Sequence, residues 1–363
     1  IGRRPERQYW GDDSASVFYS QKREGSVIRD RWHLPLSDEH AHLVSLDKIH
    51  LHDYAGKVMN EDNSKAAWLS SGNIFVKSLA DGTVKQLTKG VAGIRNLQFL
   101  LNGELAYLSG DNFFSIDLES GLVSLVASWK FAEAPKSVKP PKDYIAQEQQ
   151  KLIGYVQTRR KQAKEWGDEK QALLKSPASA PSAFYFKKGY KTEDVKLSPD
   201  GSKIILMIAE DVKDRSKTDL MPHYIQEDGR IAGLKVRRRV ADAKPVKHEM
   251  WLLDLPDKTS HPLSFETLPG YNEDVLADVK RENAKAKGED YEVNRLPRDI
   301  HLQMTWGGPT DTIVWHSNGK QVGIMLEAWD NKDRWLVTVD FEKKALVTQH
   351  RLHMDSWINY RYN

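Results

Sequence analysis

The sequence predicts an all-β fold of about five four-stranded β-propeller blades with helical insertions, and three observations carry that prediction. A polar turn holding Asp or Asn, then Gly or Ser, recurs just before an apolar strand. The first three of these turns lie about one blade's length apart. Each is followed by a second strand–turn–strand pair that alternates with period 2. Asn-Gly and Asp-Gly accept positive φ, so they reverse the chain tightly between two strands of one sheet.

Taken in order, Trp10-Gly11-Asp12-Asp13-Ser14 precedes Val17-Phe18-Tyr19, and Asn60-Glu61-Asp62-Asn63-Ser64 precedes Ala66-Ala67-Trp68-Leu69. Leu101-Asn102-Gly103 precedes Leu105-Ala106-Tyr107-Leu108. Asp13, Asp62 and Asn102 are 49 and 40 residues apart, the period of repeats that each hold several short strands. Ser198-Pro199-Asp200-Gly201 then precedes Ile204-Ile205-Leu206-Met207, and His316-Ser317-Asn318-Gly319 precedes Val322-Gly323-Ile324-Met325.

Outer hairpins follow the same logic. Asn73–Leu79 turns at Asp81-Gly82 into Val84–Thr88, and Asn112–Leu118 turns at Ser120-Gly121 into Leu122–Leu125. Met250–Leu255 turns near Asp257-Lys258 toward His261–Leu263, and Trp335–Asp340 turns through Glu342-Lys343-Lys344 into Ala345–Thr348. Helical repeats do not fit runs that are broken every 5–7 residues and alternate with period 2.

The last two spacings, 98 and 118 residues, exceed one blade, so insertions are expected. Pro135 to Pro141 reads as a linker, and Asp143 can cap a helix running to about Lys175. On that helix Ile145, Leu152, Val156, Ala163 and Trp166 form an apolar stripe that must lie on something. Asn272 to Gly288 reads as a charged surface helix packed by one edge, with Val275, Leu276 and Val279 its apolar residues. The resulting division is blades one to three over 1–130, linker and helical insertion over 131–190, and blade four over 191–265. A partly helical insertion covers 266–300, and blade five covers 301–363.

The charge balance of 54 Lys plus Arg against 51 Asp plus Glu gives +3, which argues against dedicated nucleic-acid binding. The absence of cysteine excludes disulfides, thiol nucleophiles, iron–sulfur ligation and Cys-based zinc sites. The longest apolar run, Ile204 to Ala209, is far below the ~20 residues of a membrane helix. The opening Ile1-Gly2-Arg3-Arg4 and the closing Tyr362-Asn363 read as the borders of a portion of a longer protein.

Chemistry is sparse. No glycine is followed two positions later by Ser, so the Gly-x-Ser-x-Gly elbow is absent, as are phosphate-binding and dinucleotide loops and the EF-hand loop. Asp330-Asn331-Lys332-Asp333-Arg334 looks like a calcium loop but lacks its Gly and distal Glu, and reads as a hairpin turn. His40-x-His42 and His50-x-His52-Asp53 would put each pair on one face of any strand they occupy. Without matching carboxylates they read as ordinary strand and loop histidines, and neither a metal nor another cofactor is expected. Lys235-Val236-Arg237-Arg238-Arg239, with Lys244 and Lys247, reads as a charged outer or lumen-facing strand. Trp68, Trp251, Trp315 and Trp335 stand at strand positions suited to packing between blades. No catalytic residue and no substrate-binding residue can be singled out.

At Ser198-Pro199-Asp200-Gly201-Ser202-Lys203-Ile204 the chain resembles the propeller repeats of the prolyl oligopeptidase family of serine peptidases, of the dipeptidyl peptidase IV type. Ile1–Glu6 with Tyr9–Asp13, Ala328–Trp335 and Asp355–Asn359 resemble stretches of bacterial secreted dipeptidyl-aminopeptidase-like proteins. The resemblance implies a seven- or eight-bladed ring capping a C-terminal α/β-hydrolase domain of the same parent chain, in a secreted or periplasmic enzyme acting on short peptides. The portion in hand would gate substrate access without being catalytic. The Glu-Glu helix motif that holds a substrate's amino terminus in that family has no convincing match, since candidates such as Thr192-Glu193-Asp194 lack its aromatic context, and removal of dipeptides is not implied. A stand-alone propeller that binds a protein or glycan is the alternative. An open ring exposes strand edges, so self-association or an insertion covering the edge is expected.

Overall fold

The computed structural model describes residues 4–11, 14–52, 56–90, 93–134, 143–174, 176, 179–212, 218–238, 245–304 and 311–358. The Pro135–Pro141 linker, Asp12, Asp13, Asp53, Lys175, Arg239, Lys244 and both chain ends lie outside the described residues. The chain is all-β, built of blade-type sheets with helical insertions, and divides into two compact units. One holds Ile1–Ser128 and Glu148–Ser182, the other Trp129–Gln147 and Ala183–Asn363.

The first unit contains three antiparallel sheets. Strands β1 (Glu6–Trp10), β2 (Ser16–Lys22), β3 (Arg29–Pro35) and β4 (His42–Leu43) form the first. The second is β5 (Val58–Met59), β6 (Lys65–Ser70), β7 (Asn73–Ser78) and β8 (Val84–Gln86). The third is β9 (Ile94–Phe99), β10 (Leu105–Ser109), β11 (Asn112–Ile116) and β12 (Val123–Phe131). Strands follow one another in space as they do in sequence, the meander of a propeller blade.

The recurrent turns explain why the motif needs Asn or Asp. Asn60 Oδ1 accepts the amide of Lys65 at 2.7 Å, and Asp62 Oδ1 accepts that of Ser64 at 2.9 Å. Asn102 Oδ1 takes Glu104 N–H at 3.0 Å, and Asn318 Oδ1 takes Lys320 N–H at 2.9 Å. Each short side chain replaces a backbone acceptor and pins the reversal.

The second sheet is buried on both faces. Strand alternation sends Ala67, Ile74 and Val76 toward Leu105, Tyr107 and Ile116 of the third sheet. Trp68 and Phe75, paired across β6 and β7, turn the other way and pack with Tyr9 and Val84. That double burial is why Ala66-Ala67-Trp68 reads as a continuous apolar run rather than an alternating one.

Helices α1 (Tyr144–Leu152) and α2 (Gly154–Leu174) replace the single helix expected from Asp143. Asp143 does cap the first, its Oδ1 accepting Ala146 N–H at 2.7 Å. The break falls at Ile153-Gly154, where the Ile153 carbonyl accepts from both Val156 and Gln157 and glycine is the poorest helix former after proline. The stripe expected to be covered is open: Ile145, Leu152 and Trp166 are exposed.

In the second unit the last three residues of β12, Trp129–Phe131, pair in parallel with β13 (Phe184–Phe186). The fourth sheet is β14 (Tyr190–Leu197), β15 (Lys203–Glu210), β18 (His248–Asp254) and β19 (Thr259–Leu263). A separate hairpin, β16 (Thr218–His223) with β17 (Ala232–Arg238), is inserted between β15 and β18. The basic stretch falls on β17, and Lys247 pairs with Glu249 at 3.4 Å. Helix α3 (Ala277–Ala286) follows β19 as a charged surface helix, but of the apolar residues expected to pack its edge Val275 alone is part-buried, while Leu276 and Val279 are exposed. The fifth sheet comprises β20 (Ile300–Leu302), β21 (Ile313–Trp315), β22 (Val322–Ala328), β23 (Asp333–Asp340) and β24 (Ala345–His353).

One apolar core joins the fourth and fifth sheets, from Ile205, Met207, Met250 and Leu252 to Ile324, Leu326, Trp335 and Val337. Fully burying each such side chain contributes roughly 1.5–3 kcal/mol. Trp335 also donates Nε1–H to Pro269 O at 3.0 Å. The two Asx-Gly turns meet at Gly319, whose φ is +72° and whose missing Cβ would lie 3.0 Å from Asp200 Cγ. A side chain there would meet both backbone strain and Asp200.

Candidate functional site

A cleft of about 290 Å³ opens at one end of the fourth and fifth sheets. Lys191 and Glu193 of β14, Ala209 and Glu210 at the end of β15, and His248 of β18 form one wall. His301 of β20 and Trp329, just past β22, form the other. Glu193 is where the β14–β15 register slips, between Thr192 opposite Ile208 and Asp194 opposite Met207. The extra residue of such a bulge leaves the pleat and re-aims its side chain, a device common beside binding sites. Trp329 lines the same cleft from the fifth sheet.

The histidines are oriented from behind. His301 Nδ1 lies 2.7 Å from Leu302 O, and His248 Nδ1 lies 2.7 Å from Val246 O. As neutral rings both therefore carry their proton on Nδ1. Their centroids are 5.9 Å apart, and Trp329 meets His301 edge-on at 5.7 Å. Opposite His301 in the ladder, Glu327 accepts Arg334 Nε–H at 3.1 Å, with both side chains buried. Tyr190 donates to Glu249 Oε1 at 3.1 Å. Burial first, then the charges of Glu249 and Glu210, push its phenol well above the usual tyrosine range. The charged side chains that line the cleft are Lys191, Glu193 and Glu210.

A larger cleft, about 520 Å³, lies along Glu266, Tyr271, Glu273, Asp274 and Arg295. Its carboxylates are already engaged. Asp274 binds Lys280 at 2.8 Å and accepts from Tyr291, and these contacts hold its carboxyl at about 2. Glu273 takes Arg351 Nη2–H at 2.6 Å.

The segment that looked like a calcium loop is the β22–β23 turn, with Asn331 at φ +63°. Its carboxylates meet guanidinium groups instead. Arg298 grips Asp330 at 2.9 and 2.7 Å and lies 2.7 Å from buried Asp333. Asp333 also accepts from Arg351 at 2.7 Å and lies 2.9 Å from His353 Nδ1. Burial alone would raise its pKa, but hydrogen bonds from Arg351, Arg298 and His353 and the charge of Arg298 hold it below the usual range.

The histidine pairs of the first unit do not share strand faces. His42 lies on β4 beside Asp38 at 2.6 Å, while His50 belongs to a single 3-10 turn, Ile49–Leu51. A 3-10 turn follows because Trp68 Nε1–H takes His50 O at 3.0 Å and Tyr9 donates to His52 O, so these carbonyls serve packing rather than a ladder. No group of three or more metal-binding side chains occurs among the described residues.

No protein-family model matches the chain, and no curated protein matches it. Among solved structures it is similar to dipeptidyl peptidase 4 of Porphyromonas gingivalis, at 9% identity and TM-score 0.42, over 99% of this chain and 42% of that one. It is similar to a putative dipeptidyl aminopeptidase IV of Bacteroides ovatus, at 9% and 0.38, over 98% and 39%. TolB of Acinetobacter baumannii matches at 10% and 0.33, over 97% and 56%. The chain spans about two fifths of the length of the two peptidases.

Proposed function

We propose that these blades are the substrate-gating propeller portion of a secreted or periplasmic serine peptidase that cleaves short peptides. Acyl transfer is carried by a serine of an α/β-hydrolase domain, and this portion holds no nucleophile of its own. The observation that carries the reading is the cleft, lined by Glu193 and Glu210 against a single lysine, Lys191, and by His248, His301 and Trp329. Two carboxylates beside an indole suit a peptide's ammonium group next to an apolar side chain. The Ser198–Ile204 likeness and the missing Gly-x-Ser-x-Gly elbow support the division of labour.

Titrating the chain with a tripeptide, and with its N-acetylated form, tests this. A free amine should bind and the acetylated peptide should not. Glu193→Gln should weaken binding about tenfold or more, since hydrogen bonds to charged groups contribute about 1.5–3 kcal/mol. Equal binding of both peptides would sink the proposal for the cleft. Labelling by a serine-directed fluorophosphonate would overturn the non-catalytic role. A stand-alone binding propeller is favoured by one feature, the β16–β17 hairpin, which exposes Leu220, Met221, Tyr224, Ile225 and Ile231.

A further inference from the structure

Among the described residues, helix α2 has little packed against it. Of its described side chains only Val156 and Arg160 are even partly buried. Tyr155, Trp166 and Leu173 are 68%, 77% and 62% exposed. A lone helix of 21 residues is marginal in water, and such helices are stabilised mainly by covering one face.

Tyr155, Trp166 and Leu173 are exposed apolar side chains that fall in one heptad-spaced row with three polar residues between them. Tyr155, Arg159, Gln162, Trp166, Glu169 and Leu173 follow at steps of 4, 3, 4, 3 and 4, a period of 3.5 residues. Charge along the helix is polarised. Residues 155–164 hold Arg159, Arg160, Lys161 and Lys164 and no carboxylate, whereas residues 165–174 hold Glu165, Asp168 and Glu169 against one base, Lys170.

We propose that α2 is a self-association surface that takes the α2 of a second copy in antiparallel orientation. About a twofold at position 164, Tyr155 packs on Leu173 of the second copy, Arg159 on Glu169, and Gln162 on Trp166. Each layer occurs twice, as an isologous interface requires. The basic half of one helix then lies along the acidic half of the other. A parallel pair would oppose Arg159 to Arg159 and Glu169 to Glu169, so the two polar seam positions select orientation more than they add affinity.

The absence of cysteine makes the test clean. In the 363-residue chain, the double variant Tyr155→Cys/Leu173→Cys should become a covalent dimer on mild oxidation. Tyr155→Cys alone should not, because antiparallel packing puts it about 27 Å from its counterpart at 1.5 Å per residue. By sedimentation, the parent chain should dimerise reversibly, and Arg159→Glu should weaken association about tenfold. Adding Glu169→Arg to Arg159→Glu should restore it. Trp166→Glu should give monomer that keeps the strand signal of the circular dichroism and the melting of the sheets while losing part of the helical signal. A chain that stays monomeric at its highest soluble concentration overturns the proposal. So does cross-linking by Tyr155→Cys alone, a dimer indifferent to Trp166→Glu, or a charge swap that restores nothing.

Discussion

The second sheet is packed on both faces, and the two faces are filled with different chemistry. Toward the third sheet it offers Ala67, Ile74 and Val76 to Leu105, Tyr107 and Ile116. Toward the first sheet it offers Trp68 and Phe75, and what meets them is largely aromatic. Tyr9 stacks on Phe18 at 5.3 Å, Phe18 on His33 at 4.4 Å and on His52 at 5.2 Å, and His50 meets Phe75 at 5.1 Å. The aliphatic face is indifferent to pH. The ring face carries His33, His50 and His52, and of these His52 is the one whose charge the surroundings oppose. His52 is held below the usual imidazole range, first by burial and then by the charges of His33, Lys77, His50 and Arg31.

The contrast can be broken in four ways, in order of expected effect. Trp68→Ala removes a fully buried indole and its bond to His50 O, and should cost about 3–5 kcal/mol in urea unfolding. A loss under 1 kcal/mol would mean the ring face adds little to stability. Thr88→Val leaves the buried Ile74 amide, now bonded to Thr88 Oγ1 at 2.9 Å, without its acceptor. That should cost about 1–3 kcal/mol, read as faster exchange of the Ile74 amide as well as a lower midpoint. Ile74→Val trims the aliphatic face by one methylene and should cost about 0.5–1.5 kcal/mol, equally at pH 7.5 and 5.5. The smallest effect belongs to the ring face. Because the folded pKa of His52 lies below its unfolded value, stability is complete above the unfolded value near 6.5 and falls as pH drops below it. His52→Phe should flatten that slope, and an unchanged slope would assign it to other groups.

Most of the framework was legible in the sequence because it is written in local chemistry. Asp200, Asn102 and Asn318 each accept an amide two residues on, so turn position and strand start are fixed within a handful of residues. The both-face burial of β6 was foreshadowed by Ala66-Ala67-Trp68. What escaped was long-range. His248 and His301 converge only because β18 and β20 belong to neighbouring sheets, and Trp329 and Glu193 line one cleft for the same reason. No spacing encodes that. The bulge at Glu193 is likewise invisible, since Thr192-Glu193-Asp194 alternates like any strand. For the His50 pair the sequence left strand and loop both open, and the structure shows a 3-10 turn whose carbonyls accept from Trp68 and Tyr9.

The way β15 and β18 pair has a consequence for how this chain tolerates change. They are in register over seven residues, from Lys203 opposite Asp254 to Ala209 opposite His248, although β16 and β17 intervene in sequence. The neck is closed by Glu210 N–H on Lys247 O at 3.1 Å. The blade therefore does not measure what emerges there, and each doubling of such a loop costs only about 0.6 kcal/mol. That neck is a port at which a segment can be lengthened, exchanged or grafted while the scaffold beneath keeps its pairing.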